Sequence, residues 1–257
     1  MMMLPDDGGA TAPVRDVPPG WCDIVGDGRM GGALSAALRT AGVPVRGPLA
    51  RAADAAGAAI VLLCVPDREI ARASAAIAAG ALVGHVSASA DLSLLAPHER
   101  FAMHPLLSVV GASARFAGAT CVVEGSTVRA TSVARALAAR LGMTARVIAP
   151  EQRPLYHAAA TMASNYLVTL EASAEHLARQ VGLDRSALVP LVRATVEQWA
   201  ALGAREALTG PIARGDEETI ARQRAAVAAA APDMVVMWDC LVAATRSLAA
   251  APAGVAR

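Results

Sequence analysis

The chain has 257 residues with 23 basic and 22 acidic side chains and a formal charge of +1, so it offers no basic stripe to nucleic acid. Hydrophobic residues make up 55% of it, ample for a core in one large or two modest domains, yet no apolar run reaches the roughly 18 residues that a membrane span needs. Every basic residue is arginine, which excludes lysine Schiff-base and lysine general-acid chemistry. Cys22, Cys64, Cys121 and Cys240 form no CxxC pair and have no histidine at zinc spacing, so they read as reduced thiols of a cytoplasmic protein without a metal site.

The opening segment, MMMLPDDGGATAPVRDVPPG, lacks both the basic start and the apolar centre of a signal peptide, and its Pro, Gly and Asp content predicts a disordered leader over 1–20. From Trp21 the chain alternates apolar runs with helical patterns, the signature of parallel βα units. The spacing predicts strands near 22–26, 43–46, 59–65, 81–86, 100–104, 119–124 and 145–148, with helices near 29–41, 67–79 and 127–141. Ser126 is the expected N-cap of the last of these helices and Gly142 its stop.

The first strand turns directly into Gly26-x-Gly28-x-x-Gly31 and then into an Ala-rich helix, the order that a dinucleotide pyrophosphate requires. The first glycine permits the tight turn, the second lets backbone N–H groups reach the phosphates, and the third lets the helix pack against its strand. The helix N-terminus adds partial positive charge. Gly26, Gly28, Arg29, Met30 and Gly31 are therefore cofactor-binding candidates. The segment VPVRGPLAR at 43–51 contains no acid to bond a ribose 2′-OH. It carries Arg46 and Arg51 instead, which with Arg29 favour the 2′-phosphate of NADP(H), the alternative being three solvated surface arginines.

CVPD at 64–67 ends the third strand, where Cys64, Val65 and Pro66 are expected beside the nicotinamide half, although Pro66 and Asp67 also fit ordinary helix capping. HVSAS, with Ser87 and Ser89, follows the fourth strand, the place where the β-hydroxyacid dehydrogenases, which the chain distantly resembles, carry a substrate-binding loop. His104 ends the fifth strand, pointing at the crevice of an open α/β sheet or bonding a loop carbonyl.

After Pro150 the strand signal vanishes. Helical patterns run over 151–181, from an Asp184 cap to about 202, from Asp216 after the turn-rich TGPIARG, and over about 233–250. On the first of these, at about 100° per residue, His157, Thr161, Ser164 and Asn165 share one face, while Leu155, Met162, Tyr166 and Leu170 occupy the opposite, core-packing face. The polar stripe suits a substrate cleft, with His157 as proton donor and Asn165 as orienter. A solvent-exposed face or a helix interface would carry the same residues. Arg214 is a candidate clamp for a substrate carboxylate, while Asp216 beside it caps the following helix.

IVGDGRMG, VLLCVPD, MHPL at 103–106, YHAAATMASNYLVTLEA at 156–172, LVPLVRATVE at 188–197 and ALTGPIARGDEETIARQ at 207–223 resemble the bacterial Rossmann-like proteins that carry domain of unknown function 2520. The resemblance covers about 21–250. More distantly the layout is similar to pyrroline-5-carboxylate reductase, ketopantoate reductase and the β-hydroxyacid dehydrogenases. It implies a Rossmann dinucleotide-binding domain over 21–150, an all-helical substrate-binding and dimerisation domain over 151–250, a nicotinamide cofactor, a homodimer formed through the helices, and active-site residues on the first helix of the second domain. The catalytic lysine of the dehydrogenases and of ketopantoate reductase is missing, as is the dehydrogenases' glycine pair near Ser87. The expected protein is thus an α/β cytoplasmic NADP(H)-dependent oxidoreductase acting on a small carbonyl or imine held between its two domains, with a flexible tail over 251–257. A non-catalytic NADP(H) sensor or scaffold is the alternative.

Overall fold

The structure, a computed structural model, describes residues 17–111 and 114–251. The leader expected over 1–20 and the tail expected over 251–257 lie outside the described residues, except for 17–20 and 251. The chain divides into two compact units between Met162 and Ala163. That division falls beyond Pro150, because the first helix after the strands packs with the sheet.

The first unit runs β1 (Trp21–Val25), α1 (Arg29–Thr40), β2 (Val45–Leu49), β3 (Ala58–Leu63), α2 (Ile70–Ala76), β4 (Leu82–His85), β5 (Arg100–Pro105), β6 (Thr120–Gly125), α3 (Val128–Arg140), β7 (Thr144–Arg146) and α4 (Arg153–Thr161). The strands form one sheet in the order β2-β1-β3-β4-β5-β6-β7. Only β5 and β6 pair antiparallel. From β1 the chain goes first to β2 on one side and then to β3 on the other, so the topological switch point lies between β1 and β3. Ligands of open α/β sheets bind outside the carboxyl ends of the strands at such a point.

Apolar side chains fill both faces of the sheet, which is why its inner strands read as nearly continuous hydrophobic runs. One face packs Ile24, Leu62, Phe101 and Met103 under α1 and α3. The other packs Val61, Leu63, Val83 and Ala102 under α2. Successive side chains of a strand alternate between faces, so His85 and His104 continue the second face beyond Val83 and Ala102.

Helix ends follow the expected chemistry with one shift. The N-cap of α3 is Thr127, whose hydroxyl accepts from Ala130 N–H at 3.0 Å. Ser126, the expected cap, instead accepts from Arg100 N–H at 3.1 Å and ties the helix start to β5.

In the second unit, α5 (Leu167–Arg179), α6 (Arg185–Leu202), α7 (Ala204–Ala207), α8 (Pro211–Arg214), α9 (Glu217–Ala230) and α10 (Val235–Ala250) follow. Asp184 and Asp216 cap α6 and α9 through Ser186 N–H and Thr219 N–H, as the sequence leads one to expect. The turn-rich 207–215 segment contains the short α8. Between α4 and α5 the backbone makes a π-turn over Met162–Tyr166. A π-turn inserts an extra residue into the helical ladder, so the face computed for 157–165 at a uniform 100° is not one continuous stripe. Leu155, Met162, Tyr166 and Leu170, expected against the core, are exposed, Leu155 by 76%. Among the described residues no helix is long and apolar enough to cross a membrane, and no cluster of three metal-ligating side chains occurs.

Candidate functional site

The glycine turn after β1 is shaped by close packing. Gly26 has φ +112°, and a Cβ there would sit 2.3 Å from the Cys64 carbonyl oxygen. A Cβ on Gly31 would fall 1.9 Å from the Gly26 carbonyl oxygen, so any side chain forces α1 away from its strand. Gly28 differs from both: nothing lies within 4 Å of its would-be Cβ. It is the N-cap of α1, with no side-chain cap and no acid in the first turn, so the first N–H groups of the helix are left for a ligand.

These groups border a cleft of roughly 320 Å³ lined by Gly26, Asp27, Gly28, Arg29, Met30, Arg51, Cys64, Pro66 and Val109. Its walls are the carboxyl ends of β1, β2 and β3, the two sides of the switch point. The donor set fits a dinucleotide: uncapped amides for a pyrophosphate, and two guanidinium side chains at its margins. Cys64 is no nucleophile, since burial pushes its thiol well above the usual range. Gly28→Ala is expected to cost no more than about 1 kcal/mol of stability, the preference of an N-cap for glycine over alanine, because its backbone is extended and its surroundings open. The added methyl projects into the phosphate position and weakens nucleotide binding about tenfold or more. Thermal unfolding and calorimetry on one sample check both halves.

Arg46 is placed elsewhere than the sequence reading puts it. Its guanidinium forms a two-pronged pair with Asp23, Nε to Oδ1 at 2.7 Å and Nη2 to Oδ2 at 2.6 Å, and Nη2 also donates to the Ala56 carbonyl at 3.0 Å. Asp23 is fully buried in the middle of β1. A buried carboxylate requires such a partner, so Nε and Nη2 of Arg46 are committed to Asp23 and to the Ala56 carbonyl. Arg51, in the turn after β2, lines the cleft.

A second constellation occupies the carboxyl ends of β4 and β5. His85 pairs in register with Ala102 and is fully buried, and His104 lies two residues further along β5 on the same face. Ser87 N–H donates to His85 Nδ1 at 3.2 Å. An N–H can only donate, so His85 carries its proton on Nε2, an atom that is buried without a hydrogen-bond partner. Burial first, and then Arg153, lower the His85 pKa to about 4. His104 is likewise lowered to about 4, by burial and then by His157 and Arg153.

His104 Nδ1 lies 2.7 Å from the Tyr156 hydroxyl on α4, with the two rings edge to face. His157, the next residue, is exposed, and its ring centroid is 6.5 Å from that of His104. What fixes α4 here is Arg153 at its start, 9% exposed, which donates to the Ala90 carbonyl at 3.0 Å and pairs with Glu124 at 3.1 Å. The Ser87 hydroxyl oxygen accepts from the N–H groups of Ser89 and Ala90, and the Ser89 hydroxyl donates to Asp67 at 2.7 Å. Asp67 thereby links the 67–69 turn after β3 to the loop after β4.

The structure thus brings His104, His157, Ser87 and Ser89 to one edge of the first unit. It adds His85, Arg153 and Tyr156, which sequence reasoning missed. Thr161 ends α4. Ser164 and Asn165 belong to the second unit, where the Ser164 hydroxyl donates to Asn165 Oδ1 at 2.9 Å, and Arg214 there ends α8. Val65 is buried beneath the cleft residues Cys64 and Pro66.

Sheet topology and glycine turn together define a Rossmann-type α/β fold, followed by a helical unit. Residues 119–245 match the family model described as a domain of unknown function, DUF2520. No curated protein matches the chain. Among solved structures it is similar to protein TM1727 from Thermotoga maritima, at 21% identity and TM-score 0.77 over 90% of this chain and 100% of that one. It is also similar to the reductive aminase from Aspergillus terreus in complex with NADPH and ethyl levulinate, at 15% identity and TM-score 0.65 over 89% and 98%. A third is the pyrroline carboxylate reductase of Plasmodium falciparum with NADP bound, at 10% identity and TM-score 0.57 over 90% and 99%. At such identities the likeness is one of fold.

Proposed function

We propose that this chain is an NADP(H)-dependent oxidoreductase that moves a hydride to or from a small carbonyl or imine. The observation that carries the reading is the open face of Gly28 at the uncapped head of α1, inside a cleft flanked by Arg29 and Arg51. A bound nicotinamide would supply or accept the hydride. The chain's own groups hold the pyrophosphate on amides, meet the 2′-phosphate with guanidinium, and present imidazole, phenol and hydroxyl groups at the ends of β4 and β5. Thr161, Ser164, Asn165 and Arg214 are proposed substrate contacts, and His104, Tyr156 and His157 the proton-handling groups.

A turnover screen with NADPH against 2-keto acids, 3-keto acids and cyclic imines tests the reading. Oxidation of NADPH by members of one class supports it, while binding without any turnover makes the protein a nucleotide sensor instead. In the same scheme Arg51→Ala removes one charge-assisted contact, about 1.5–3 kcal/mol, and weakens NADPH roughly 10- to 150-fold while leaving NADH nearly unchanged. Calorimetric titration of the two nucleotides reads that difference.

The helical unit is proposed to join two copies into a homodimer. In support, the 18 residues of α6 include none that is buried, and Leu191, Trp199 and Leu202 on it are each more than half exposed. Apolar surface of that extent favours association. Sedimentation at micromolar concentration should give a dimer, and a monomer would count against the proposal. Four free cysteines fit a reducing, cytoplasmic compartment.

A further inference from the structure

We propose that Tyr156, seated on His104, is the group that hands the proton to the substrate heteroatom, and that His157 connects this pair to solvent. The proposal rests on the oxidoreductase reading above. Three observations carry it. The Tyr156 hydroxyl and His104 Nδ1 are 2.7 Å apart, with their ring planes at 84°, so the phenol is oriented by a bond and not by packing alone. Arg153, buried three residues earlier, pins that turn of α4 to the Ala90 carbonyl and to Glu124, so the pair does not depend on a mobile side chain for its position. Tyr156 is half-buried while His157 is exposed, so the phenol is the better shielded of the two donors.

Location agrees. The cleft takes in Cys64 and Pro66 after β3 and Val109 after β5, and β5 is the second strand beyond β3, about 10 Å away at the usual strand spacing. Arg51, the Gly28 turn and Pro66 would hold a dinucleotide in this cleft, at the carboxyl ends of the strands where β4 and β5 also end. His104 itself is a poor acid at neutral pH, since burial keeps it a neutral imidazole down to about 4. Burial raises the Tyr156 phenol to about 12, which keeps it protonated and still more acidic than the alcohol or amine formed when the anion left by hydride addition takes its proton.

The step balances as follows. Hydride brings two electrons and one hydrogen to the substrate carbon. The π pair of the C=O or C=N bond stays on the heteroatom, the Tyr156 O–H bond breaks, and its proton joins that atom to give the alcohol or amine. The phenolate oxygen accepts a hydrogen bond from His104 Nδ1–H and regains a proton from solvent by way of His157. Oxidation of the product runs the same transfers in reverse.

The test compares unmodified protein, Tyr156→Phe and His157→Ala on whichever member of the keto-acid and cyclic-imine panel turns over. Tyr156→Phe is expected to lower kcat by about 10²–10⁴ with NADPH affinity retained, and His157→Ala to lower it only severalfold. Near-normal turnover by Tyr156→Phe overturns the assignment and leaves the oxidoreductase reading standing. No turnover by the unmodified chain on any panel member removes that reading and this step together. A readout independent of turnover is nitrogen NMR of isotope-labelled histidines in the NADPH complex. The expected state of His104 has the proton on Nδ1, with a resonance that moves in Tyr156→Phe. An unprotonated Nδ1 means that the phenol donates to His104 and not to substrate, and overturns the proposal.

Discussion

Arg46→Ala is expected to destabilise the protein by about 3 kcal/mol while leaving NADPH affinity within severalfold of the unmodified chain. Removing one partner of a buried ion pair strands the other, and such losses run to about 3–5 kcal/mol. Asp23 is fully buried and the Arg46 side chain 37% exposed, which places this pair at the lower end. The reverse pattern, normal stability with NADPH weakened 10-fold or more, would return Arg46 to the cofactor. Denaturant unfolding shows a fall in midpoint at unchanged slope if only stability changes. Replacing both partners by apolar residues, Asp23→Val with Arg46→Met, should recover much of the loss, because no charge is then left buried.

Acid sensitivity is the second large effect. His85 and His104 are held neutral in the fold, each lowered from the usual 6.5 to about 4. In the unfolded chain both take up protons as the pH drops below 6.5, so between 6.5 and 4 the unfolded state binds more protons than the folded one. Stability is therefore fully present above pH 6.5 and is lost as the pH falls toward 4. At about 1.36 kcal/mol per pH unit the fully buried His85 alone contributes up to roughly 3 kcal/mol across that window, and His104 acts in the same direction. Urea unfolding at pH 7 and pH 5 should show the fall for the unmodified protein and a shallower one for His85→Asn. Equal slopes in the two proteins would contradict the buried, neutral assignment of His85.

Much of this architecture is legible in the sequence because the signals are local. Each apolar run between Trp21 and Arg146 becomes a strand within two residues of its expected bounds, except that β2 ends three residues later than expected, and Asp184 and Asp216 announce their helices by chemistry that reaches only two or three residues ahead. The glycine turn is legible for the same reason, since its constraints fall on the Gly26 to Gly31 backbone and the strand beside it.

What escaped depends on register and on long-range partners. Arg46 reads as a phosphate ligand only while Asp23 is overlooked. An aspartate in the middle of WCDIV, a strand buried on both faces, was the available signal that a cation must come to it. Tyr156 and His104 are 52 residues apart and meet only through the placement of α4, and His85 becomes notable only once β4 is paired with β5. The π-turn over Met162–Tyr166 leaves no mark in composition or periodicity, so the helical face drawn across it could not be phased correctly from sequence. The apolar side chains Leu155, Met162 and Tyr166, expected against a core, are each more than half exposed.

The central claim is that the cleft at the head of α1 is an NADP(H) site. Calorimetric titration of the purified chain with NADPH and with NADH tests it most directly. One site per chain with NADPH bound at least about tenfold more tightly than NADH is the predicted result, a difference of about 1.4 kcal/mol. Equal or tighter binding of NADH, or heat from neither nucleotide, would contradict it.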